Sequence, residues 1–325
     1  MQSRPVSEAV RETQARFFDA KPPLYPWPHL LRRHGLQRLY KPREAFWAHA
    51  WEQLAPVPGT TVLDLGCGTG IWLDRLAGQY GTIGVGLDVS RASLSTASQQ
   101  SSDGNRYVCA DAGRIPLPDA AFGLVLSLDT LEHVADQQAF LREISRVLEP
   151  GGRVFLWSIN RSQRFTWNWV LEKLGMDVFE RVAHDPSLLP DPATVANRLT
   201  TAGLKVESMH YFNAFFTLAL DEAIMVGVDF LRRRGMFTED SPIRNGLGQV
   251  FLMASHLATS TVWRLLNWLD GPWLKRGLSN GFLVLALREP FPEQSAASAS
   301  EVAQVRGPLA PLSLAAASTE IPGGS

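Results

Sequence analysis

Val62-Leu63-Asp64-Leu65-Gly66-Cys67-Gly68-Thr69-Gly70 is the stretch that decides the fold of this chain. An apolar run with the composition of a β-strand surrounds an aspartate, and a loop with glycines at alternate positions follows. Glycine permits a sharp turn and leaves no Cβ to hold a ligand away from the backbone. A strand that enters such a loop and then a helix, predicted here over 70–79, begins a nucleotide-binding α/β unit.

The spacing of the three glycines separates two kinds of cofactor site. Gly66, Gly68 and Gly70 form GxGxG, not the GxGxxG of a dinucleotide site, which disfavours a nicotinamide oxidoreductase. Asp64 lies where its carboxylate can meet an ammonium group, which a pyrophosphate lacks. The alternative is a glycine-rich turn that binds no ligand.

The whole stretch from Val62 to Gly70 resembles motif I of the class I S-adenosylmethionine (SAM) methyltransferases. The resemblance implies SAM as the methyl donor. It also implies that Asp64 lies near the SAM ammonium, directly or through water. Gly66, Cys67, Gly68 and Gly70 would then form the loop against the methionine part of SAM.

Two later strand ends carry acids at the spacing of the same family. Asp88 ends the second predicted strand, 18 residues after Gly70, and a carboxylate there can accept hydrogen bonds from both ribose hydroxyls. A helix-capping role is the alternative, for which Ser90 is the better candidate. The resemblance implies that Asp111 accepts from the adenine amino group and that the Ala112 N–H donates to a ring nitrogen. A turn-forming role is the alternative for Asp111.

Two further positions are implied only by resemblance. Main-chain atoms at the end of the fourth strand, around Leu128, face the SAM sulfonium in this family. The segment His29 to Tyr40 is similar to the stretch that precedes the core of ubiquinone-biosynthesis O-methyltransferases. That similarity makes Arg38 a candidate for contact with the SAM carboxylate, while a solvated basic helix face is the alternative.

The alternation of patterns predicts a Rossmann-like α/β fold with a seven-stranded, mostly parallel sheet and an antiparallel last strand. Strands are predicted at 60–65, 82–88, 105–109, 122–128, 152–159, 204–210 and 281–288, with helices at 70–79, 90–101 and 136–148. We expect an N-terminal helical segment (1–55), a SAM-binding core (56–160) and the rest of the sheet with helical insertions (161–290). The tail, 291–325, is rich in Ala, Ser, Pro and Gly and is predicted to be disordered.

Composition narrows the class of protein and of partner. A formal charge of -1 and a pI near 6.7 give no electrostatic reason to expect nucleic acid as a partner. Two cysteines, Cys67 and Cys109, argue against a disulfide scaffold and suit a reducing compartment. No secretory signal and no uncharged apolar run long enough for a membrane span are evident, so a cytoplasmic protein is expected.

Histidines are the candidate catalytic residues, because methylation of a hydroxyl requires removal of a proton near neutral pH. His133 follows the fourth strand and is the first candidate base; His184, in Ala183-His184-Asp185, is the second. His133 could also merely position its loop. Asp129, Glu132 and His133 could form a small metal patch, but three ligands within five residues are weak evidence, and no metal is predicted.

The acceptor must be recognised by the two insertions, 161–203 and 212–280, which exceed what the sheet needs. Helices are predicted near 214–234 and 247–270. Tryptophans beside basic residues in 255–276 suit a helix in a membrane interface, which predicts peripheral contact with the inner face of a membrane; a helical cap core is the alternative.

Both interpretations of the insertions imply an apolar or aromatic small-molecule acceptor. A hydroxyl acceptor is slightly favoured. Carbon or nitrogen methylation stays open, as does a SAM-binding protein without transfer activity.

Overall fold

The computed structural model describes residues 6–20, 54, 56–101, 104–176, 185–233, 258 and 261–289 of the 325-residue chain. Seven strands form one sheet in the order β3-β2-β1-β4-β5-β7-β6. The strands are β1 Thr61–Leu65, β2 Ile83–Asp88, β3 Arg106–Cys109, β4 Phe122–Leu128, β5 Leu148–Ile159, β6 Leu204–Phe212 and β7 Gly281–Arg288.

Helices cover the sheet and extend beyond it. They are α1 Val6–Ala20, α2 Ile71–Tyr80, α3 Arg91–Gln100, α4 Gln137–Val147, α5 Trp167–Lys173, α6 Pro192–Thr201 and α7 Phe216–Arg233. Residues 261–269 form a further helix, α8, which a single turn, Gly271–Leu274, follows. A 3₁₀ turn, Leu131–His133, comes directly after β4.

The strand directions confirm the predicted sheet. β1 runs parallel to β2 and β4, β2 to β3, and β4 to β5. β7 lies between β5 and β6 and is antiparallel to both. The central strands are nearly continuous apolar runs because helices bury both of their faces. Val62 and Leu63, neighbours on β1, belong to two separate core clusters on opposite faces of the sheet.

A polar side chain caps the start of each of four helices. Ser90, Asp136, Thr166 and Asp191 each accept a hydrogen bond from a backbone N–H in the first turn of α3, α4, α5 and α6. Such caps satisfy backbone donors that have no partner within the helix. The predicted cap at Ser90 is confirmed, which leaves the Asp88 carboxylate available for other contacts.

One predicted boundary is wrong. The Pro-Gly-Gly turn was expected to separate a helix over 136–148 from a strand over 152–159, yet β5 begins at Leu148. Leu148 has extended backbone angles and pairs with Phe122, and its side chain is fully buried. Burial of Leu148 against the sheet therefore outweighs the turn signal, and an irregularity between Phe122 and Leu124 accommodates the extra residues.

Three strained residues lie along one edge of the sheet, where the carboxyl ends of β4, β5 and β6 meet. Asp129, Phe165 and Asn213 have φ angles of 55°, 62° and 55° and follow those strands. A non-glycine residue in this region costs about 1–3 kcal/mol, and such strain concentrates at functional sites. Ligands of open α/β sheets bind outside the carboxyl ends of the strands. We therefore expect the ligand-binding site at this edge, which is called the carboxyl edge below.

The two insertions pack against each other through aromatic side chains. Phe215 lies 5.5 Å from Trp167 of the first insertion and 6.4 Å from Trp273 of the second, between ring centroids. The buried carboxylate of Asp270, just after α8, accepts hydrogen bonds from the backbone N–H groups of Phe215, Phe216 and Thr217 at 3.1, 2.9 and 3.0 Å. The Thr217 hydroxyl adds a fourth at 2.6 Å. One acid thus joins the end of α8 to the start of α7.

The described part of the second insertion agrees with the predicted helices, since α7 covers most of 214–234 and α8 lies within 247–270. Among the described residues no helix is long and apolar enough to cross a membrane. The tail at 291–325 and most of the segment 1–55 lie outside the described residues, so the domain boundaries stay predictions.

Candidate functional site

The glycine loop after β1 requires glycine for two different reasons. Gly66, Gly68 and Gly70 have φ angles of 72°, 52° and 74°, a region that other residues rarely adopt. A Cβ at Gly66 would collide with the Thr130 side chain, and one at Gly70 would collide with Tyr107. A Cβ at Gly68 would meet no atom of a described residue within 4 Å, so within the described part of the chain the backbone there borders open space. The open space over Gly68 is room for a ligand.

Asp64 is a buried acid beside this loop. Its side chain is 1% exposed, and its Oδ2 atom makes no hydrogen bond to a described residue. Burial, with a smaller contribution from the charge of Asp88, raises the pKa of Asp64 from 3.8 to about 8. A buried carboxyl group without a partner is costly, and a cationic ligand group beside it would remove that cost.

Asp88 joins the loop to the end of β2. Its Oδ2 accepts a hydrogen bond of 2.8 Å from the Gly68 N–H, and its Oδ1 accepts one of 2.8 Å from the Ser90 N–H. Each oxygen has a second lone pair that these bonds do not use. Burial raises the pKa of Asp88, and the backbone hydrogen bonds oppose that rise. The carboxylate is therefore fixed at the carboxyl edge beside the glycine loop.

Cys67 lies inside the loop and not at its surface. The residue is buried, and its thiol packs beside Gly86 of β2, where a Cβ would collide with the sulfur. Burial raises the pKa of the Cys67 thiol, and the neighbouring Asp64 and Asp88 raise it further. A protonated, buried thiol packs as an apolar group.

Asp111 and Ala112 follow β3, as the motif requires. The Asp111 Oδ1 accepts a hydrogen bond of 2.8 Å from the Gly113 N–H, so the acid does form the turn that was the alternative. Ala112 is buried, and its N–H donates to no described residue. The turn holds Asp111 in place and leaves the Ala112 N–H unused. Asp111 can therefore both form the turn and accept a hydrogen bond from adenine.

The end of β4 brings its main chain to the glycine loop. The Thr130 hydroxyl donates to the carbonyl oxygens of Leu65 and Leu128 at 2.8 and 3.1 Å. This hydroxyl ties the ends of β1 and β4 together, and it occupies the space that a Cβ at Gly66 would need. The predicted residue Leu128 is thus adjacent to the loop.

Two residues of the suggested metal patch, Glu132 and His133, contact different parts of the fold. Glu132 is fully buried, and its Oε2 accepts a hydrogen bond of 2.7 Å from Ser158 of β5. Burial, together with the charge of Asp129, raises the pKa of Glu132 from 4.5 to about 8. His133 is half-buried in the 3₁₀ turn and lies toward α1. Within the described ranges no group of three His, Cys, Asp or Glu residues could hold a metal ion.

Helix α1 lies across the carboxyl edge, a position that the sequence did not predict. Its Phe18 ring packs edge-to-face on His133, with 5.7 Å between ring centroids. Its Asp19 Oδ1 accepts hydrogen bonds from the Ser90 hydroxyl and the Ala92 N–H, at 2.7 and 3.2 Å. α1 therefore contacts both the β2 and the β4 side of the site. Asp19 is the next-to-last residue of an ordinary amphipathic helix, and such an acid carries no sequence signal for this role.

Comparison with known proteins identifies the family. A family profile described as a methyltransferase domain (Methyltransf_11) matches residues 63–156. The ubiquinone biosynthesis O-methyltransferase of Thiobacillus denitrificans is 30% identical over 165 residues, which cover 48% of this chain and 68% of that protein. The chain belongs to the class I SAM-dependent methyltransferases. The ubiquinone biosynthesis O-methyltransferase of Coxiella burnetii is 26% identical over 167 residues, 49% of this chain and 71% of its own.

Solved structures agree with this methyltransferase in fold. Geranyl diphosphate C-methyltransferase from Streptomyces coelicolor, solved with Mg²⁺, geranyl diphosphate and S-adenosylhomocysteine, superposes with a TM-score of 0.53 at 15% identity, over 88% of this chain and all of that one. A sarcosine dimethylglycine methyltransferase from Galdieria sulphuraria, itself assigned only provisionally, superposes at 0.50 and 15% identity, over 76% and 86%. At such identities these likenesses concern the fold alone.

The site of the methyltransferase fits SAM, its methyl donor. The open space over Gly68 accommodates a ligand, and the unpartnered Oδ2 of Asp64 suits the ammonium of its methionine part. Asp64, Asp88 and the loop between them lie together at the carboxyl edge, with Leu128 and His133 on the neighbouring strand end. Arg38 and His184 lie outside the described residues of the methyltransferase.

Proposed function

We propose that this methyltransferase transfers the methyl group of SAM to a hydroxyl group of an apolar, aromatic or isoprenoid-like small molecule. One observation supports oxygen as the atom that is methylated: the relatives described above are ubiquinone biosynthesis O-methyltransferases. They cover only about half of this chain. The acceptor of this enzyme therefore depends on residues that the relatives do not share.

The proposed cofactor contacts follow from the positions of the three acids. Asp64 faces the ammonium group, Asp88 accepts from the ribose hydroxyls through its unused lone pairs, and Asp111 with Ala112 meets the adenine. The loop that contains Gly66, Cys67, Gly68 and Gly70 packs against the methionine part, and the main chain at Leu128 lies toward the sulfonium. Arg38 is kept as a candidate for the carboxylate. Once bound, SAM supplies an electrophilic methyl group whose transfer abolishes a positive charge.

His133 is the proposed general base for the acceptor hydroxyl. It follows β4 at the carboxyl edge, and Phe18 of α1 packs against its ring. That contact keeps the ring at the site and helps to exclude water, which favours proton removal and alignment of the nucleophile. His184, the second candidate base, stays a prediction.

The test is a His133→Gln variant assayed with labelled SAM. A general base contributes about 10²–10⁴-fold, so kcat should fall by that factor while the Kd for SAM stays within about twofold. The acceptor is first identified by mass spectrometry of products labelled from a small-molecule and lipid extract. A product methylated on carbon or nitrogen would contradict the hydroxyl assignment and favour the alternative classes. SAM binding without any labelled product would favour a SAM-binding protein without transfer activity.

The apolar character of the acceptor is proposed from the aromatic side chains of the insertions. Trp167, Phe215, Phe216 and Trp273 pack together beside the carboxyl edge. A wall of this kind favours an aromatic or isoprenoid acceptor over a sugar, because it offers large apolar area and few hydrogen-bonding groups.

Peripheral membrane contact, as expected for an enzyme at the inner face of a membrane, is proposed through the outer face of α8. Val262, Leu265, Trp268 and Leu269 share that face and are 45%, 58%, 75% and 38% exposed. Basic side chains accompany it at exposed positions, namely Arg264, Lys275 and Arg276. An exposed apolar face beside basic residues is typical of helices that lie in a membrane interface. Trp263 and Trp273, by contrast, pack inward, as the cap interpretation required.

Liposome flotation tests this contact. A Leu265→Ser, Trp268→Ser variant should lose flotation on vesicles that contain anionic lipid, while its SAM affinity stays unchanged. Val57→Ser, at an equally exposed apolar residue (55%) before β1, is the matched control and should float as the unmodified protein does. Undiminished flotation of the double variant would refute the contact.

A further inference from the structure

A pocket of about 550 Å³ opens beside α5, and no predicted site residue lines it. Arg161, Gln163 and Arg164 contribute to its wall from the loop after β5, Trp169 and Glu172 from α5, and Leu189 from the segment before α6. Its volume lies within the range of small-molecule sites. Because residues 161–164 directly follow β5, the neighbour of β4, this pocket lies beside the carboxyl edge.

Two guanidinium groups of this pocket have unused hydrogen-bond donors. Arg161 and Arg164 are exposed, and neither forms an ion pair with a described residue. The Arg164 guanidinium carbon lies 5.4 Å from the ring centroid of Phe165, a contact that leaves its N–H groups available. Each guanidinium presents a planar set of donors that matches a carboxylate or a phosphate.

The acids of the pocket form no ion pair with these two arginines. The Asp191 Oδ2 accepts the Thr194 N–H at 3.0 Å and the Thr194 hydroxyl at 3.1 Å, which holds this carboxylate at the start of α6. Glu172 is exposed and makes no ion pair with either arginine. It opposes an anion only through solvent, where screening is strong.

The loop that carries the arginines is held in one conformation. The Arg161 N–H donates to the Pro190 carbonyl at 2.9 Å, and the Ser162 N–H donates to Asn160 Oδ1 at 2.9 Å. The Thr166 hydroxyl, which also caps α5, donates to the Gln163 carbonyl at 2.7 Å. Because the backbone is held on both sides of each arginine, the loop loses less conformational entropy when a ligand binds.

An apolar wall faces the same space. Leu189 is 5% exposed, and the Trp169 ring lies 5.2 Å from that of Phe165, between centroids. Phe165 holds its place with a φ of 62°, an unfavourable angle for a bulky residue. Aromatic surface and free guanidinium groups in one pocket suit a ligand with a flat apolar body and an anionic end.

We propose that Arg161 and Arg164 bind an anionic group, a carboxylate or a phosphate, of the small molecule that this enzyme methylates. The identity of the ligand as the methyl acceptor rests on the proposed function; the binding of an anion does not. The acceptor is then an amphiphile with an aromatic body against Trp169 and a charged end between the two arginines.

Binding of three fluorinated probes to the full-length protein, with and without S-adenosylhomocysteine, tests the proposal by ¹⁹F NMR. The probes are 4-fluorobenzoate, 4-fluorophenyl phosphate and the neutral 4-fluorobenzamide. At least one anion should bind about tenfold or more tightly than the amide, and the Arg161→Gln, Arg164→Gln variant should lose about tenfold or more of that affinity. Arg106→Gln, at an exposed arginine on the far edge strand β3, is the matched control and should change nothing. Glu172→Gln should tighten anion binding by a few-fold.

The outcomes separate this proposal from the proposed function. Equal binding of amide and anions, or undiminished anion binding by the double variant, would overturn the anion site. Transfer of label from SAM to the acceptor identified in the extract, measured on the same samples, reports on the proposed function independently. Anion binding without methyl transfer would refute the proposed function and leave the pocket, and methyl transfer without anion binding would refute the anion site and leave the proposed function. The benzoate and phosphate arms decide which anion the acceptor carries.

Discussion

Replacement of Asp64 by asparagine should stabilise the enzyme increasingly as the pH rises. Asp64 is buried, no described residue donates a hydrogen bond to its Oδ2, and its pKa is about 8 in the folded protein against 3.8 when unperturbed. Between these values the folded chain holds a proton that the unfolded chain has released. The free energy of unfolding therefore falls by about 1.4 kcal/mol per pH unit from this residue.

The variant lacks this titration, so its stability advantage over the unmodified protein should grow by about 2 kcal/mol between pH 6 and pH 8. Guanidinium chloride unfolding of both proteins, followed by circular dichroism at pH 6, 7 and 8, measures this difference. Glu132 also has a pKa of about 8 and makes stability fall in the same window, but it is present in both proteins and cancels.

Asp136→Asn is the matched control. Asp136 is exposed and caps α4, where asparagine caps equally well, so this variant removes an acid at the surface instead of a buried one. If the Asp64→Asn difference is flat with pH to within about 0.5 kcal/mol, the reasoning about buried charge is refuted. SAM affinity supplies the functional half of the test, since loss of a charge facing the ammonium should weaken it about tenfold. A variant that is more stable and binds SAM as before would place the ammonium elsewhere.

Three further outcomes are expected. Asp270→Asn should lower the free energy of unfolding by about 2–4 kcal/mol, because an amide cannot accept all four hydrogen bonds; a loss below about 1 kcal/mol in chemical unfolding would contradict this. Gly66→Ala should cost more stability than the control Gly59→Ala by at least about 1 kcal/mol in the same assay, since both have positive φ but only Gly66 faces a collision. With a thiol reagent, exposed Cys109 should react at once and Cys67 only after unfolding; two fast equivalents would argue against the buried thiol.

Local signals predicted the sheet and the cofactor loop well. Apolar strands, glycines at fixed spacing and acids at strand ends are determined by neighbouring residues, so Gly66, Asp64 and Asp88 could be placed from the sequence. The start of β5 could not, because the burial of Leu148 depends on its pairing with Phe122, which the chain forms only when the sheet assembles.

Contacts between distant segments escaped prediction for the same reason. Asp19 reaches Ser90 across 71 residues, and Asp270 reaches Phe215 across 55. No periodicity distinguishes these acids from solvated ones. Glu132 was suggested as part of a metal patch, yet it turns inward to Ser158, since a 3₁₀ turn and not a regular strand sets its direction. The pocket that Arg161 and Arg164 share was not predicted, because a charged loop residue carries no signal for such a site until its neighbours are known.

The four hydrogen bonds that Asp270 accepts also affect how the sequence of this enzyme can change. They hold the start of α7 and the end of α8 at a single point, so the two ends of the connection between these helices stay together whatever its length. The entropic cost of closing a longer connection grows only slowly, by about 0.6 kcal/mol for each doubling of its length. The length and sequence of that connection can therefore diverge, or be replaced by design, while the Asp270 junction and the cofactor loop stay as they are.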